Sequence, residues 1–178
     1  GWWQDGKVER VPWPAQRGAR SWVILFFRTL RGEFWAGLAD GLLRLQPEDR
    51  RVRFDDDQLA HRQILSACED GTGALWVGTG HGLSRWQDGV FENFNDLVPR
   101  ALDVVTSLHA DVEGTVWIGT GGGLWRHRAG QFFAFGPEHG VPPTIGQIIE
   151  DAHDHLWLTW GEGVTRIARA ELNAVAEG

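Results

Sequence analysis

The sequence predicts an all-β chain that folds as a β-propeller of four tandem, four-stranded antiparallel blades. A tryptophan-centred motif repeats about every 41 residues, which is typical of a propeller blade. Tryptophan and glycine are abundant, at 11 and 24 of the 178 residues. Short apolar strands alternate with glycine-containing turns, and no apolar stripe of helical period accompanies them, so helical repeats of similar length are excluded.

Several residue types recur at fixed distances from the central tryptophan of each repeat. Its central tryptophans are Trp35, Trp76, Trp117 and Trp157, at intervals of 41, 41 and 40 residues. The arginines nine residues after them are Arg44, Arg85, Arg126 and Arg166. The aspartates six residues before the last three are Asp70, Asp111 and Asp151, and Thr29 stands at that position in the first copy. Chance does not produce four aligned copies of so many positions.

The third copy gives the clearest strand pattern and sets the predicted division of the chain. It predicts strands at 104–110, 115–120, 123–128 and 131–135. The same pattern places the four blades at 21–62, 63–103, 104–144 and 145–168, the last with three strands. Residues 1–20 are then the end strands of a preceding blade, and residues 169–178 form a short helical tail.

The repeated residues have predicted structural roles. Because successive strand side chains point to opposite faces, Trp76 and Gly78 share a face, where the indole fills the space between blades and the glycine permits a close approach. A two-residue loop at 80–81 places Arg85 opposite Trp76. We therefore expect an arginine over the indole in every blade, worth about 0.5–2 kcal/mol. Asp70 and its equivalents begin turns that end in glycine, so we expect them to bind their own backbone.

Composition excludes several function classes. The net charge is −7 and the basic residues are scattered, so no nucleic-acid partner is expected. No apolar run is long enough to predict a membrane span in this segment. The single cysteine, Cys68, can form neither an internal disulfide nor a zinc site by itself, and we expect it to be a buried thiol in a strand.

The sequence predicts no catalytic residues, no metal site and no cofactor. No nucleophile and base stand at a spacing typical of catalysis. His153 and His155 lack a third ligand at a clear spacing, so a solvated turn is the better interpretation. The acidic run at 55–57, followed by His61, is likewise interpreted as a solvated loop between blades rather than a site for a cation or a sugar.

The second and third copies resemble the two-component regulator propeller repeat. The resemblance rests on the letters EDGTGALWVGTGHGL at 69–83, and on DVEGTVWIGT at 111–120 with Gly123 and Leu124. The first and fourth copies are degenerate, since Leu38 stands in place of a threonine, and Thr159 and Trp160 replace a Gly-Thr pair. With these two copies included, the resemblance covers nearly the whole chain.

Repeats of this family build the extracytoplasmic sensor domains of sensor and hybrid histidine kinases. The resemblance therefore implies a periplasmic, ligand-sensing module that has no enzymatic activity of its own, the kinase part being absent from this segment. It also implies a small-molecule ligand of the saccharide type, and further blades and downstream signalling domains of the same protein as partners. The helix-prone segment at 169–177 resembles the one that follows late blades in such sensors.

The two ends of the blade array are expected to be open. The letters WQDGKV at 3–8 echo WQDGVF at 86–91, so the chain is expected to start inside the third and fourth strands of a preceding blade. Exposed blade edges pair readily with other strands. We therefore expect a fragment or partial propeller that is covered by further blades, by a second copy in a homo-oligomer, or by closure on itself.

One face of the propeller is expected to bind ligand, namely the face where the loops between second and third strands meet the connections between blades. These connections are 55–61, 95–103 and 137–144. The candidate ligand-binding residues in the loops are Asp40, His81, Gly122, Trp160 and Glu162. A tryptophan beside a carboxylate, as at Trp160 and Glu162, suits stacking on a sugar ring with hydrogen bonds to its hydroxyls.

Two functions of other classes stay open as alternatives. A propeller lyase or hydrolase similar to the streptogramin lyases would need a histidine, a carboxylate and a metal on one face. Against it, His81 is the only histidine in a loop between second and third strands. A structural or protein-docking propeller is the other alternative, and it would lack a concave pocket on either face.

Overall fold

In a computed structural model, the described residues form a two-stranded hairpin and then four larger antiparallel β-sheets that follow one another along the sequence. The structure describes residues 3–4, 7–8, 22–45, 51–55, 57–95 and 104–178. Of the end strands predicted at 1–20, only residues 3–4 and 7–8 are described, and residues 21 and 46–50 of the predicted first blade, Asp56 and residues 96–103 of one connection also lie outside the described residues.

The strands follow the predicted four-strand pattern. A hairpin of β1 (Trp3–Gln4) and β2 (Lys7–Val8) comes first. The first sheet contains β3 (Val23–Arg28), β4 (Phe34–Leu38), β5 (Gly41–Leu45) and β6 (Arg51–Phe54). The second contains β7 (Ile64–Glu69), β8 (Leu75–Thr79), β9 (Gly82–Gln87) and β10 (Val90–Asn93). The third contains β11 (Val105–Ala110), β12 (Val116–Thr120), β13 (Gly123–Arg128) and β14 (Gln131–Phe135). The fourth contains β15 (Gln147–Glu150), β16 (His155–Trp160) and β17 (Gly163–Ala168).

The arrangement of the sheets is that of a partial β-propeller. Within each sheet, hydrogen-bonded neighbours are consecutive in the sequence and antiparallel, as in propeller blades. The first strands of successive sheets contact one another, β3 with β7, β7 with β11, and β11 with β15, so they form the inner side of the array. The predicted all-β propeller fold is therefore confirmed.

A helix replaces the fourth strand of the last sheet. Alanine, glutamate and leucine in residues 169–177 favour helix, and α1 (Arg169–Glu177) forms there. Its Leu172 is buried against the third and fourth sheets. A single turn of 3-10 helix spans Pro137–His139. No helix among the described residues is long and apolar enough to cross a membrane.

The core consists of layers between successive sheets, each centred on a repeat tryptophan. Trp35, Trp76 and Trp117 are at most 1% exposed. The layer around Trp117 contains Leu124 from the third sheet together with Leu156 from the fourth. In this packing, the tryptophan fills the space between blades, which is the role predicted from the sequence.

The glycine two residues after the tryptophan allows the next sheet to approach closely. A Cβ added to Gly78 would lie 2.5 Å from Cγ1 of Val105 and 2.9 Å from its carbonyl oxygen, both in the next sheet. A Cβ on Gly119 would lie 2.7 Å from Cγ2 of Ile145. Any side chain at these positions would force adjacent sheets apart, which is the physical reason for a glycine inside a strand.

Candidate functional site

The two ends of the sheets carry different connections. We call the end with the turns between first and second strands the turn face. The loop face is the opposite end, with the loops between second and third strands and the connections between sheets. There the Gly80 N–H donates to the Gln63 carbonyl (2.8 Å), and the Ile145 N–H donates to the Thr120 carbonyl (2.9 Å). The first bond holds the end of the connection before β7 beside the loop of the same sheet. The second holds the end of the connection before β15 beside the loop of the third sheet.

On the turn face, an aspartate ties its own turn to the repeat tryptophan. Asp70 Oδ1 accepts hydrogen bonds from the N–H groups of Thr72 (2.9 Å) and Ala74 (3.1 Å), as predicted for a turn aspartate. Its other oxygen, Oδ2, accepts a hydrogen bond from Trp76 Nε1 at 2.7 Å. The same bond joins Trp117 to Asp111 (3.0 Å) and Trp157 to Asp151 (2.8 Å). Sequence reasoning missed this indole bond, although the constant spacing of six residues was a signal for it.

The first sheet builds the same link from different residues. Thr29 replaces the aspartate, and its Oγ1 accepts a hydrogen bond from the Glu33 N–H at 3.0 Å. The Trp35 Nε1 group donates instead to Glu33 Oε2 at 3.3 Å. Glu33 therefore supplies the carboxylate that the degenerate first repeat lacks at position 29.

These aspartates are ionised structural groups. Burial opposes ionisation of Asp70 and Asp111. For Asp70, hydrogen bonds from the Thr72 hydroxyl, the indole and the turn backbone outweigh burial and hold the pKa below the usual range. For Asp111, hydrogen bonds from the turn backbone and the indole, together with Arg169, have the same effect on the pKa. The hydrogen bond from Trp157 is the main reason why the pKa of Asp151 is also well below that range. A carboxyl with a lowered pKa that is used in such bonds is unsuited to general-acid chemistry.

The predicted arginine–tryptophan pairs lie directly opposite each other in all four sheets. Guanidinium carbons lie over the ring centres at 5.7 Å for Arg44 and Trp35, 5.6 Å for Arg85 and Trp76, and 5.5 Å for Arg166 and Trp157. The expectation of this contact in every blade is wrong for the third, where Arg126 donates from Nη2 to Glu177 Oε1 at 2.6 Å. The cause is α1, which brings a carboxylate within reach of Arg126.

A buried arginine that sequence reasoning missed connects α1 to the turn face. Arg169 is 5% exposed, and four carboxylates surround its guanidinium group. The closest nitrogen–oxygen distances are 3.1 Å to Asp111, 3.2 Å to Glu113, 3.2 Å to Glu150 and 3.1 Å to Asp154. These acids come from the third and fourth sheets, so one guanidinium group joins two blades and the helix.

A histidine–carboxylate pair adjoins the Arg169 cluster. His109 Nε2 lies 2.8 Å from Glu150 Oε2 on the inner strands β11 and β15, near the turn face. The other carboxylate oxygen of Glu150 lies 3.2 Å from Arg169 Nε. Glu150 is therefore shared between two basic groups, and the pair is part of the structural cluster that joins the third and fourth sheets.

The candidate ligand residues lie on the loop face. Asp40, His81, Gly122 and Glu162 are each the second residue of the loop between second and third strands. They therefore occupy one repeat position on four different blades, with His81, Gly122 and Glu162 exposed. Asp40 Oδ2 forms an ion pair with Arg53 Nη2 at 3.0 Å. The structure brings the four residues to one face but does not gather them into one compact cluster.

Trp160 is the candidate residue with the most specific setting. It is the last residue of β16 and takes the position that Thr79 and Thr120 hold in the second and third blades. Its indole is half-buried, and Nε1 donates a hydrogen bond to Thr165 Oγ1 at 3.2 Å. That bond fixes the ring orientation, and Glu162, two residues later in the chain, is exposed.

An open depression of about 510 Å³ occupies the centre of the array where the inner strands begin. Its lining includes Leu25, Leu65, Ser66, Thr106, Gln147 and Thr159. The strand register shifts by one residue at the start of β3, β7 and β11, between Val23 and Leu25, Ile64 and Ser66, and Val105 and Ser107. Such bulges bend a strand and redirect side chains, and here they shape the depression. Neither the bulges nor the depression had a sequence signal.

The residues that the sequence analysis considered but did not assign to a site, Cys68 and His153, lie in surroundings that serve the fold. Cys68 packs against the layer that contains Trp76, and burial raises the pKa of its thiol. His153 is exposed, and the adjacent Asp154 pairs with Arg169. Among the described residues, no group of three or more histidine, cysteine, aspartate or glutamate side chains is arranged to hold a metal ion.

One protein family matches the sequence. The model of the two component regulator propeller family matches residues 58–81. This range includes β7, the Asp70 turn and β8 with Trp76, and it ends at His81 on the loop face. No curated protein matches the chain in sequence.

Several solved structures share the fold. The extracellular domain of BT3049 from B. thetaiotaomicron, described as a hybrid two component system, has a TM-score of 0.73 at 21% identity over 85% of this chain and 22% of that chain. The extracellular domain of BT4673 from the same organism, described as a one component system, has a TM-score of 0.72 at 21% identity over 87% of this chain and 25% of that chain. This chain thus spans about a quarter of their length or less. Virginiamycin B lyase from Staphylococcus aureus has a TM-score of 0.67 at 17% identity over 92% and 60% of the two chains.

Proposed function

We propose that the chain is a ligand-sensing module of a two-component signal-transduction protein, because residues 58–81 match the model of the two component regulator propeller family. The module works outside the cytoplasm, in the periplasm, and contributes binding without catalysis. A histidine kinase elsewhere in the parent protein supplies the enzymatic output. The fold shared with the extracellular domains of BT3049 and BT4673 supports this assignment.

The observation that carries the proposal is the depression at the centre of the array. Polar side chains of Ser66, Thr106, Gln147 and Thr159 line it among aliphatic ones, and a mixed lining of this kind suits a small polar ligand. Trp160 follows Thr159 in β16 and leads into the loop of the fourth sheet on the loop face. The ligand class is a saccharide, because sugar hydroxyls can pair with the hydroxyl and amide side chains of the depression, and the apolar face of a sugar ring can stack on an indole such as that of Trp160 on the loop face.

The loop residues extend this site around the loop face. In the proposed site, Trp160 stacks on a sugar ring, Glu162 and Asp40 accept hydrogen bonds from hydroxyls, and His81 and the Gly122 backbone bind at the rim. The blades that present them are 21–62, 63–103, 104–144 and 145–168, with 1–20 as the end of a preceding blade and 169–178 as the helical tail. Further blades and the downstream signalling domains of the same protein are the partners of this module.

Binding of a saccharide is tested by thermal unfolding of the chain against a panel of neutral and acidic oligosaccharides. At about a hundredfold excess over the dissociation constant, a ligand stabilises a protein by about 2.7 kcal/mol, which raises the melting temperature by roughly 5–10 °C at this size. We expect at least one saccharide to have this effect. Trp160→Ala should weaken its affinity by about tenfold or more, since buried tryptophans dominate binding energy.

The matched control for Trp160→Ala is Leu30→Ala, which removes an exposed apolar side chain from the turn face. It should leave the thermal shift unchanged. A panel without any stabilising saccharide, or equal loss of affinity in the two variants, would contradict the proposed site.

The second candidate function is that of a lyase, favoured by the fold shared with virginiamycin B lyase. A lyase needs a free base, and Glu150 of the His109 pair is held by Arg169. That pair also lies toward the turn face, away from Trp160. Conversion of virginiamycin B by the purified chain, followed by chromatography, would overturn the assignment of a binding module.

A further inference from the structure

One position of the repeat has a titratable side chain in the third sheet and an apolar side chain in the other three. It follows the repeat arginine and lies opposite the residue before the repeat tryptophan, and its occupants are Leu45, Trp86, His127 and Ile167. In the contact between the first two sheets, the ring of Trp86 lies 5.3 Å from that of Trp35. In the last contact, Ile167 packs in the layer around Trp117. The position therefore fills space against the tryptophan of the preceding sheet, and His127 is its one occupant whose charge changes near neutral pH.

His127 takes this place in the contact between the second and third sheets. Its ring centre lies 4.7 Å from that of Trp76 in the second sheet and 4.7 Å from that of Phe132 in its own sheet. The ring of Phe94, which follows β10, lies 6.4 Å away. A neutral imidazole suits these surroundings, because it packs as a flat ring among other aromatic rings.

Charged groups of the second sheet surround the same indole. The guanidinium carbon of Arg85 lies 5.6 Å from the centre of the Trp76 ring. Asp70 accepts the hydrogen bond of that indole through Oδ2, and its Oδ1 is used by its own turn. Glu92 lies 3.9 Å from Arg85, with its side chain largely exposed. A proton on His127 would therefore place a positive charge beside a guanidinium group that already lies over this ring.

The strand neighbours of His127 in the third sheet carry no charge. Val116 and Phe132 lie opposite it on the two adjacent strands. Across the contact, Cys68 lies opposite Trp76, and burial keeps its thiol neutral by raising its pKa. An imidazolium ion at His127 would thus lie in a largely apolar layer, where a charge is costly.

Burial is the main reason why the pKa of His127 is below its usual value. The positive charge of Arg85 acts in the same direction, and the charge of Asp70 opposes both. As the pH falls below the ordinary histidine value of about 6.5, the unfolded or opened chain takes up a proton that the closed contact excludes. Stability of the contact is therefore lost as the pH falls from about 6.5 toward the lower pKa of the folded chain.

We propose that His127 makes the contact between the second and third sheets acid-sensitive, so that the two sheets pack tightly at neutral pH and separate more readily in mild acid. The inner end of the same contact borders the depression, where Ser66 Oγ donates to the Val105 carbonyl at 3.2 Å. A looser contact would change the spacing of these inner strands and so the width of the depression. The loosening itself requires no ligand and is independent of the proposed function.

The protonation of His127 is measured directly by NMR of the full wild-type chain, with the imidazole resonance assigned through its bonds to the backbone. We expect His127 to titrate clearly below the ordinary histidine range, because the closed contact excludes the proton. Titration within or above that range would overturn the proposal.

The opening of the contact is measured at Cys68, the single cysteine of the chain, which packs in the same layer. Its labelling by a dipyridyl disulfide, a reagent that also reacts in acid, reports the openings that expose the thiol. From about pH 7.5 to about pH 5, the labelling rate of the wild type should rise at least about threefold more than that of His127→Leu, which has the residue of the first sheet. The control His153→Ala removes an exposed histidine and should respond as the wild type does.

A second variant, His127→Phe, keeps a flat ring without a titratable group and separates the effect of charge from that of shape. It should show the same weak response to acid as His127→Leu. An acid response equal to that of the wild type in either variant would overturn the proposal, because the opening would then depend on other groups. Loss of the response in His153→Ala would have the same meaning.

Discussion

Replacement of Trp76 by alanine is expected to lower the free energy of unfolding by about 3–5 kcal/mol, the usual loss for a large buried aromatic residue. Trp76 is 1% exposed and holds together the contact of the second and third sheets. Its removal leaves a cavity and deprives Asp70 of the indole hydrogen bond. Trp157 occupies the same repeat position but is 40% exposed, so Trp157→Ala should cost less than half as much.

Urea denaturation followed by circular dichroism measures both losses, since the many tryptophans make fluorescence hard to assign. The comparison is matched because both indoles bond to an aspartate six residues earlier. Equal losses at the two positions would contradict the conclusion that Trp157 is open to solvent in the isolated chain.

Arg169→Met is expected to destabilise the chain by about 3–5 kcal/mol, because removing one partner of a buried ion pair leaves uncompensated buried charge. The side chain of Arg169 is 7% exposed, and the one of Asp111 is fully buried. Without the guanidinium group, the carboxylates of Asp111 and Glu150 repel each other across the contact between the third and fourth sheets. The attachment of the first turn of α1 is lost with the same cluster.

The matched control is Arg166→Met, which removes an arginine whose side chain is 42% exposed and which pairs with Asp151. Exposed pairs contribute less than about 1 kcal/mol, and the contact of Arg166 with the exposed ring of Trp157 adds about 0.5–1 kcal/mol, so this variant should lose clearly less stability than Arg169→Met. Urea midpoints give the stability, and hydrogen exchange of residues 169–177 reports the helix. A stable Arg169→Met variant with a protected helix would show that the other contacts of α1, which are Leu172 packing and the Arg126–Glu177 pair, are enough to hold it.

The sequence was sufficient for features whose cause is local. The spacing of Trp76, Gly78 and Arg85 fixes strand faces and loop length, and from these the register follows by counting. Asp70 starts a turn that closes within four residues, so its backbone bonds are readable as well. The indole bond to Asp70 was equally local, and the constant spacing of six residues would have allowed its prediction.

Features that join distant parts of the chain were not predictable in this way. Arg126 pairs with Glu177 of α1, 51 residues later in the chain, instead of lying over Trp117. Arg169 forms ion pairs with acidic residues of two sheets, and no periodic pattern in the sequence predicts these contacts. The depression arises from three register shifts that have no motif of their own. The candidate ligand residues were placed on one face and in four blades by topology, but the distances between them depend on the angles between sheets.

Hydrogen exchange of the chain, with and without the saccharide that stabilises it most, tests the central claim most directly. The claim predicts slower exchange on the loop face, at 39–41, 80–82, 121–123 and 160–163, and unchanged exchange at the turns 29–33, 70–73, 111–114 and 151–154. The turns serve as an internal control, since each blade contributes one segment to each face. Protection confined to the turns, with the loop face unaffected, would contradict the proposed ligand site.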